Sequence, residues 1–268
     1  MKKIYFDYNL FVILMSGDSK LKNKVKTLNR NEYLLLYSPA HIEEIAVSTM
    51  RNEYPLSKTY EKLEFISKLT FDYELLPFER SDTRLIFKDN IYIYEENPRI
   101  CYERVVKDYS RNDYAEKVDG EILTVSEEIN FYDNDPTEIN NKTPLEIIKE
   151  CEQLISDSFI LAMKESYNTS YTSKDVRKIR DLGIKNPFQI FEAFVNVIFN
   201  CLEALRYFPE KPTNGRSRLH DVSHAIYGAY CDEFISGDNK LIRKSQVAYK
   251  YLGVYTEIIK LKEYVNTT

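Results

Sequence analysis

Short apolar runs of strand length alternate with helical patterns at both ends of the chain. Residues 3–7 form the first run, which ends in Asp7, and residues 33–37 form the second. Residues 232–236 and 254–259 form two more runs near the other end. Strands that alternate with helices are typical of parallel sheets covered by helices. The pattern therefore predicts an α/β fold with a central parallel sheet.

Helix signals follow these runs. The first helix is expected to begin at about Asn9, which is placed to cap it, and to end before Gly17. Pro39 marks the first turn of a helix after the second strand. Asp221 is expected to start another helix, whose apolar segment is 222–230.

The segment 51–206 between the two ends has a different pattern. Helical periodicity extends over residues 56–69, 144–166 and 187–206. Residues 84–94 alternate between apolar and polar positions and carry an Asp-Asn pair at their centre, which predicts a small β-hairpin. This part of the chain is therefore expected to be mostly helical.

The composition is that of an ordered globular protein. The chain has 268 residues, of which 43% are hydrophobic and 29% charged, enough for one large domain or a domain with an insertion. Seven glycines argue against Gly-rich phosphate loops and turn-dense all-β folds. The formal net charge of −5 means that nucleic acid is not held by overall charge. Any such contact must be local, through a basic patch or through metal ions.

The chain has four cysteines, and no pair of them has C-x-x-C spacing. A zinc site is therefore not expected, and the thiols are interpreted as reduced groups of a cytoplasmic protein. No segment has the ~18 consecutive apolar residues that span a membrane, so no membrane partner is expected.

Four acidic residues occupy chemically informative positions. Asp7 and Asp238 follow predicted strands, Glu44 lies early in the helix after Pro39, and Asp221 lies at an expected helix start. Ligands bind outside the carboxyl ends of strands in open parallel sheets. Carboxylates suit Mg²⁺, which polarises phosphodiesters and lowers the pKa of water. Since the chain has 42 acidic residues, only their joint placement predicts a metal site.

The order of these four motifs resembles that of PIN-domain nucleases. The motifs here are Ile4-Tyr5-Phe6-Asp7, His41-Ile42-Glu43-Glu44-Ile45, His220-Asp221-Val222-Ser223-His224-Ala225 and Phe234-Ile235-Ser236-Gly237-Asp238. The resemblance covers less than half of the chain. It departs from the family pattern in the long segment between Glu44 and Asp221, which is interpreted as an insertion.

The resemblance implies a PIN-like three-layer α/β/α fold, with a core of residues 1–50 and 207–268 and a mostly helical insertion at 51–206. It implies an endonuclease that depends on Mg²⁺ or Mn²⁺ and cleaves RNA rather than DNA. Prokaryotic relatives often serve as ribonuclease toxins or in phage defence, which implies a regulatory protein partner; a homo-oligomer stays open. The expected catalytic and metal-binding residues are Asp7, Glu44, Asp221 and Asp238.

Supporting roles are expected for three neighbouring side chains. Ser236 is expected to orient the Asp238 carboxylate or a metal-bound water. Asn9 has the same expected role, or only caps its helix. His224 lies one helical turn after Asp221. It either faces the site or is a structural histidine whose ring nitrogens are hydrogen-bonded within the fold.

Three further residues are alternatives with a structural interpretation. Glu43 can replace Glu44, although the two point about 100° apart on a helix and the family pattern favours Glu44. His41 shares a helix face with Glu44, so it too either faces the site or has a structural role. Asp232 precedes its strand and is interpreted as a structural acid at the opposite end from Asp238.

Two arginines are expected to contact substrate phosphate. Arg216 and Arg218 precede Asp221 in a segment that contains Gly and Pro, which is expected to be a loop. The planar guanidinium fork suits phosphate oxygens. The other basic runs are interpreted as solvated faces.

Two rival functions stay open at this stage. The first is a non-catalytic module of the same fold that binds RNA or a protein. The second is a phosphatase of the haloacid-dehalogenase type, which requires a D-x-D motif. Here the third position is Asn9, so the general acid of that motif is lost.

Overall fold

A computed structural model describes residues 1–29, 31–51, 55–76, 92–108, 136–210 and 219–266, together with the backbone of 85–86 and 215–218. The chain divides into two compact units. The first unit comprises Met1–Gly120, Tyr230–Asp238 and Thr256–Thr268, and the second comprises Glu121–Ala229 and Asn239–Tyr255. These boundaries differ from the expected insertion at 51–206. The difference arises because helices after residue 51 pack with the first unit, whereas the helix after Asp238 packs with the second.

A four-stranded parallel sheet forms the centre of the first unit. Its strands are β1 (Lys2–Phe6), β2 (Tyr33–Leu36), β6 (Glu233–Ser236) and β7 (Glu257–Lys260), in the order β2-β1-β6-β7. The predicted α/β fold with a central parallel sheet is confirmed.

The two middle strands of this sheet each contain a short uninterrupted apolar stretch. Ile4, Tyr5 and Phe6 of β1 and Phe234 and Ile235 of β6 are fully buried. Parallel strands covered on both faces read as apolar runs rather than as alternating ones, which explains their sequence pattern. Because these strands are buried, the backbone of the residues that directly follow them is held in a fixed position.

A small antiparallel sheet lies in the same unit. It consists of β3 (Tyr73–Leu76), β4 (Leu85–Ile86) and β5 (Tyr92–Glu95), in the order β3-β5-β4. β4 and β5 pair antiparallel in the segment where a hairpin is predicted, and its Asp-Asn centre lies outside the described residues. A parallel bridge between Tyr37 and Glu74 connects the end of β2 with β3.

The helices of the first unit surround these strands. They are α1 (Tyr8–Met15), α2 (Ser19–Thr27), α3 (Pro39–Met50), α4 (Leu56–Thr70), α5 (Pro98–Asp108) and, after the second unit, α12 (Leu261–Tyr264). α1 begins at Tyr8 and its cap is Asp7, so the expected capping role of Asn9 is wrong. Asp7 has extended backbone angles and accepts a helix N–H, as capping residues do.

The described part of the second unit is helical. It contains α6 (Pro136–Ile139), α7 (Pro144–Tyr167), α8 (Ser173–Leu182), a 3₁₀ turn (Gly183–Lys185), α9 (Phe188–Ala204), α10 (Gly215–Gly228) and α11 (Asn239–Leu252). Capping boxes begin α7 and α8, where Thr143 and Thr172 exchange hydrogen bonds with acids three residues later. Within the described residues, no helix is long and apolar enough to cross a membrane.

Candidate acidic site at the strand ends

The carboxyl ends of β1 and β6 lie side by side. Phe6 is paired with Ile235, and the Asp7 backbone N–H donates to the Ile235 carbonyl at 3.1 Å. Because the strands are parallel, Asp7 and Asp238 follow them at the same edge of the sheet. The expectation that both acids follow the carboxyl ends of strands is confirmed, and the structure shows that these strands are neighbours.

The Asp7 carboxylate is held by two neutral donors. Its Oδ1 accepts the Leu10 backbone N–H at 3.1 Å, and its Oδ2 accepts the Ser236 hydroxyl. The Ser236 oxygen in turn accepts the Asp238 backbone N–H at 2.9 Å. Ser236 therefore donates its hydroxyl hydrogen to the Asp7 carboxylate rather than to the Asp238 carboxylate, and it holds the backbone of Asp238.

The electrostatic surroundings of Asp7 oppose its ionisation. The residue is 1% exposed, and burial, as the largest effect, raises its pKa from 3.8 to about 7. The hydrogen bonds from Ser236 and Leu10 lower this pKa, and the charges of Glu44 and Asp238 raise it further. Glu44 and Asp238 therefore lie close enough to repel a charge on Asp7.

The same observation bears on the choice between two neighbouring glutamates. Glu43 and Glu44 are both half-buried on α3. Of these two, Glu44 is among the main charges that raise the pKa of Asp7. This favours Glu44 as the acid of α3 that faces the strand ends.

His41 joins the first turn of α3 to the end of β1. The side chain is fully buried, and its Nδ1 accepts the Ser38 backbone N–H at 3.0 Å. Nδ1 is therefore unprotonated, and the ring proton on Nε2 donates to the Phe6 carbonyl at 2.8 Å. The Phe6 carbonyl belongs to the peptide bond that precedes Asp7. His41 thus fixes the helix of Glu44 to the backbone of Asp7 and has a structural role.

Asn9 and Asp232 are both exposed. Asn9 is the second residue of α1, next to the buried Asp7. The Asp232 carboxylate accepts the Lys3 backbone N–H at 2.7 Å, at the amino end of β6. The interpretation of Asp232 as a structural acid away from Asp238 is confirmed.

The remaining expected site residues belong to the second unit. Asp221 lies in the middle of α10, which begins at Gly215, so the expectation that Asp221 starts this helix is wrong. Arg216 and Arg218 are helical rather than in a loop, and their side chains lie outside the described residues. The physical reason is that residues 216–220 contain good helix formers that extend the helix toward its amino end.

His224, on the same helix, is 2% exposed. Burial lowers its pKa to about 3, which keeps the ring neutral at physiological pH.

A second group of buried charges in the first unit is not evident from the sequence. Arg104 Nη2 donates to Glu74 Oε1 at 2.7 Å and to Glu96 Oε2 at 2.8 Å. Glu74 is fully buried, and burial raises its pKa to about 8 although the charge of Arg104 lowers it. The only local signal is an acid inside the apolar strand β3.

Within the described residues, no group of three or more His, Cys, Asp or Glu side chains is arranged so that it could hold a metal ion. No protein-family model, curated protein or solved structure matches the chain. The functional assignment therefore depends on the chemistry of the strand-end residues themselves.

Proposed function

We propose that this chain is a metal-dependent endonuclease of the PIN-like kind that hydrolyses phosphodiester bonds of RNA. The observation that carries the proposal is the environment of Asp7, a buried carboxyl group at the carboxyl edge of a parallel sheet whose pKa is raised by two further acids. Strongly perturbed carboxyl groups at this edge are typical of functional sites in α/β folds.

The donor atoms of this site are of the type that a hard divalent cation prefers, although the side chains described are not gathered as a metal-binding group in this structure. Each Asp7 oxygen accepts one hydrogen bond and retains a lone pair for a metal ion. Glu44 and Asp238 are half-buried carboxylates that would have to move toward Asp7 to add their oxygen ligands. Asp221 enters the proposal from the order of the sequence motifs alone. A bound Mg²⁺ or Mn²⁺ would polarise the phosphodiester and lower the pKa of a water molecule.

The other residues of the site position these carboxylates. Ser236 orients Asp7 through its hydroxyl and holds the backbone of Asp238. His41 holds the peptide bond before Asp7 and lies on the helix of Glu44. A carboxylate held in place as Asp7 is would lose less conformational freedom when a metal ion binds to it.

The substrate assignment is a separate part of the proposal. RNA rather than DNA, phosphate contacts by Arg216 and Arg218, and a regulatory protein partner derive from the resemblance to PIN-domain nucleases. Asn9 and His224 are supporting residues on the same basis. The second unit, which separates the Glu44 and Asp238 motifs in sequence, is proposed to select the substrate.

The proposal is tested by cleavage of labelled RNA in the presence of Mg²⁺ or Mn²⁺. Asp7→Asn and Asp238→Asn should each abolish metal-dependent cleavage, since removal of a metal ligand typically costs orders of magnitude in rate. Asp232→Asn is the matched control, because this acid is exposed at the other end of β6, and it should cleave like the wild type. Full activity of Asp7→Asn would refute the assignment.

Calorimetry separates the enzyme from a non-catalytic module of the same fold. The wild-type chain should bind Mg²⁺ or Mn²⁺, and Asp7→Asn should bind it more weakly. A folded wild-type chain that binds neither ion, and that binds RNA without cleaving it, would establish the module instead.

A further inference from the structure

A polar cavity of about 520 Å³ lies within the second unit. Its walls are α7 and α8, and Tyr251 near the end of α11 contributes to its lining. Tyr251, Ser156 and Val176 are buried, so they form the inner part of the cavity.

The polar residues of the two walls are arranged as stripes. Those of α7 are Lys149, Glu152, Gln153 and Ser156, and those of α8 are Ser173, Arg177 and Arg180. Spacings of three and four residues place each set on one helix face. Most of these polar side chains are exposed, so the cavity is an open cleft with a polar rim above the buried Val176 and Tyr251. Its rim groups are therefore accessible to a ligand.

Arg180 is already engaged by the protein. Its guanidinium donates to Glu152 Oε1 at 2.8 Å, lies 3.1 Å from Asp181 Oδ1, and stacks over Tyr251 with 5.7 Å between the guanidinium carbon and the ring centroid. These contacts fix one side of the cavity and neutralise its charge. Arg180 is therefore a structural part of the wall.

The positive charge left for a ligand comes from two other residues. Lys149 and Arg177 are exposed, and within the described part of the chain neither forms an ion pair. They face the same cavity from opposite helices, together with the hydroxyl of Ser173. A local excess of positive charge contrasts with the formal net charge of −5 of the chain.

We propose that this cavity, the phosphate cleft, binds a backbone phosphate of single-stranded RNA through Arg177, Lys149 and Ser173. Guanidinium and ammonium groups with a hydroxyl donor match the oxygens of a phosphodiester. The choice of RNA as the source of this phosphate rests on the proposed nuclease function. The phosphate cleft would then hold the substrate strand through residues that take no part in the chemistry.

The test measures RNA binding without cleavage. Fluorescence anisotropy of a labelled single-stranded RNA of about 12 nucleotides is followed in EDTA, using the full chain. The double variant Lys149→Ala/Arg177→Ala should raise Kd at least about tenfold. It should also reduce the slope of log K against log salt by about 0.7, since one phosphate contact of the single strand is lost.

The matched control is Lys174→Ala/Lys178→Ala. It removes the same charge from exposed positions of α8 that do not line the cleft, and it should change Kd less than about threefold. Equal losses in the two double variants would show unspecific charge attraction and overturn the proposal. All four substituted side chains are exposed, so both variants should retain the wild-type melting temperature within a few degrees.

Further outcomes separate this inference from the nuclease proposal. Binding of inorganic phosphate or a mononucleotide at the cleft without RNA binding would overturn the RNA assignment. Cleft-dependent RNA binding by a chain that cleaves nothing would support the cleft and refute the nuclease. RNA cleavage by a chain whose cleft variant keeps the wild-type Kd would support the nuclease and refute the cleft.

Discussion

Asp7 and Glu74 are buried carboxyl groups of the same unit with opposite surroundings. Glu74 lies 2.7 Å from a nitrogen of the Arg104 guanidinium. Asp7 accepts hydrogen bonds from Ser236 and Leu10, both neutral, and is repelled by nearby acids. Burial is the main cause of the raised pKa of both groups, about 8 for Glu74 and about 7 for Asp7.

The difference between the two groups separates a structural acid from a candidate functional one. Arg104 on α5 donates a hydrogen bond to Glu74 on β3, so this buried pair connects the two elements. Asp7 caps α1, but an asparagine would cap a helix equally well, so capping does not account for the charge. A charge that costs stability without a structural need is typical of a functional site.

The largest expected effect is the loss of the cation beside Glu74. Arg104→Ala leaves Glu74 and Glu96 buried without their guanidinium, which should lower the free energy of unfolding by about 3 kcal/mol at pH 8. The loss should be smaller at pH 5, where Glu74, whose pKa is raised to about 8, is protonated. Urea unfolding at the two pH values measures it. Arg99→Ala, on the exposed face of the same helix, is the control and should cost less than about 1 kcal/mol.

Asp7→Asn should have the opposite sign. The raised pKa means that the folded chain binds the Asp7 proton more tightly than the unfolded chain, so stability is lost as pH rises from about 3.8 through about 7. At pH 8 the difference between pKa values of 3.8 and about 7 corresponds to about 4 kcal/mol, and loss of the Ser236 hydrogen bond to Oδ2 offsets part of it. In EDTA at pH 8, Asp7→Asn should therefore unfold with a free energy about 2 kcal/mol higher than the wild type. The gain should vanish at acidic pH. If Asp7→Asn were less stable than the wild type at pH 8, the Asp7 carboxyl group would have a structural role, as Glu74 has.

The role of His41 gives an intermediate effect. Asparagine at position 41 can replace Nδ1 but cannot reach the Phe6 carbonyl, so His41→Asn should cost about 2 kcal/mol in urea unfolding. Glutamine can place its amide near the position of Nε2, so His41→Gln should retain more stability. Equal losses in both variants would show that the ring matters only for packing.

The smallest effect concerns the acid of α3 near Asp7. Glu44→Gln removes one of the charges that raise the pKa of Asp7, so this pKa should fall. The upper end of the pH range over which stability is lost should therefore move downward. Glu43→Gln serves as the control and should leave this pH closer to the wild-type value. The pH dependence of thermal unfolding in EDTA measures both. A larger shift with Glu43→Gln than with Glu44→Gln would show that Glu43, and not Glu44, is the acid that faces Asp7.

Local sequence patterns were sufficient for the strands of the central sheet but not for every helix boundary. Apolar runs marked β1, β2 and β6, and the parallel arrangement then placed Asp7 and Asp238 at one edge. The start of α10 was placed too late because its apolar segment begins only at Val222, whereas helix formers extend it back to Gly215.

The amino-acid sequence by itself determined the α/β class and which acids follow the strands, because alternation of apolar runs and helices is a local property. The tertiary structure decided how those acids are held. Phe6 is 35 residues from His41, and Arg104 is 30 residues from Glu74. Such contacts depend on which elements become neighbours and on how far each side chain is removed from water. The pKa of Asp7, and with it the case for a functional site, arises from that burial.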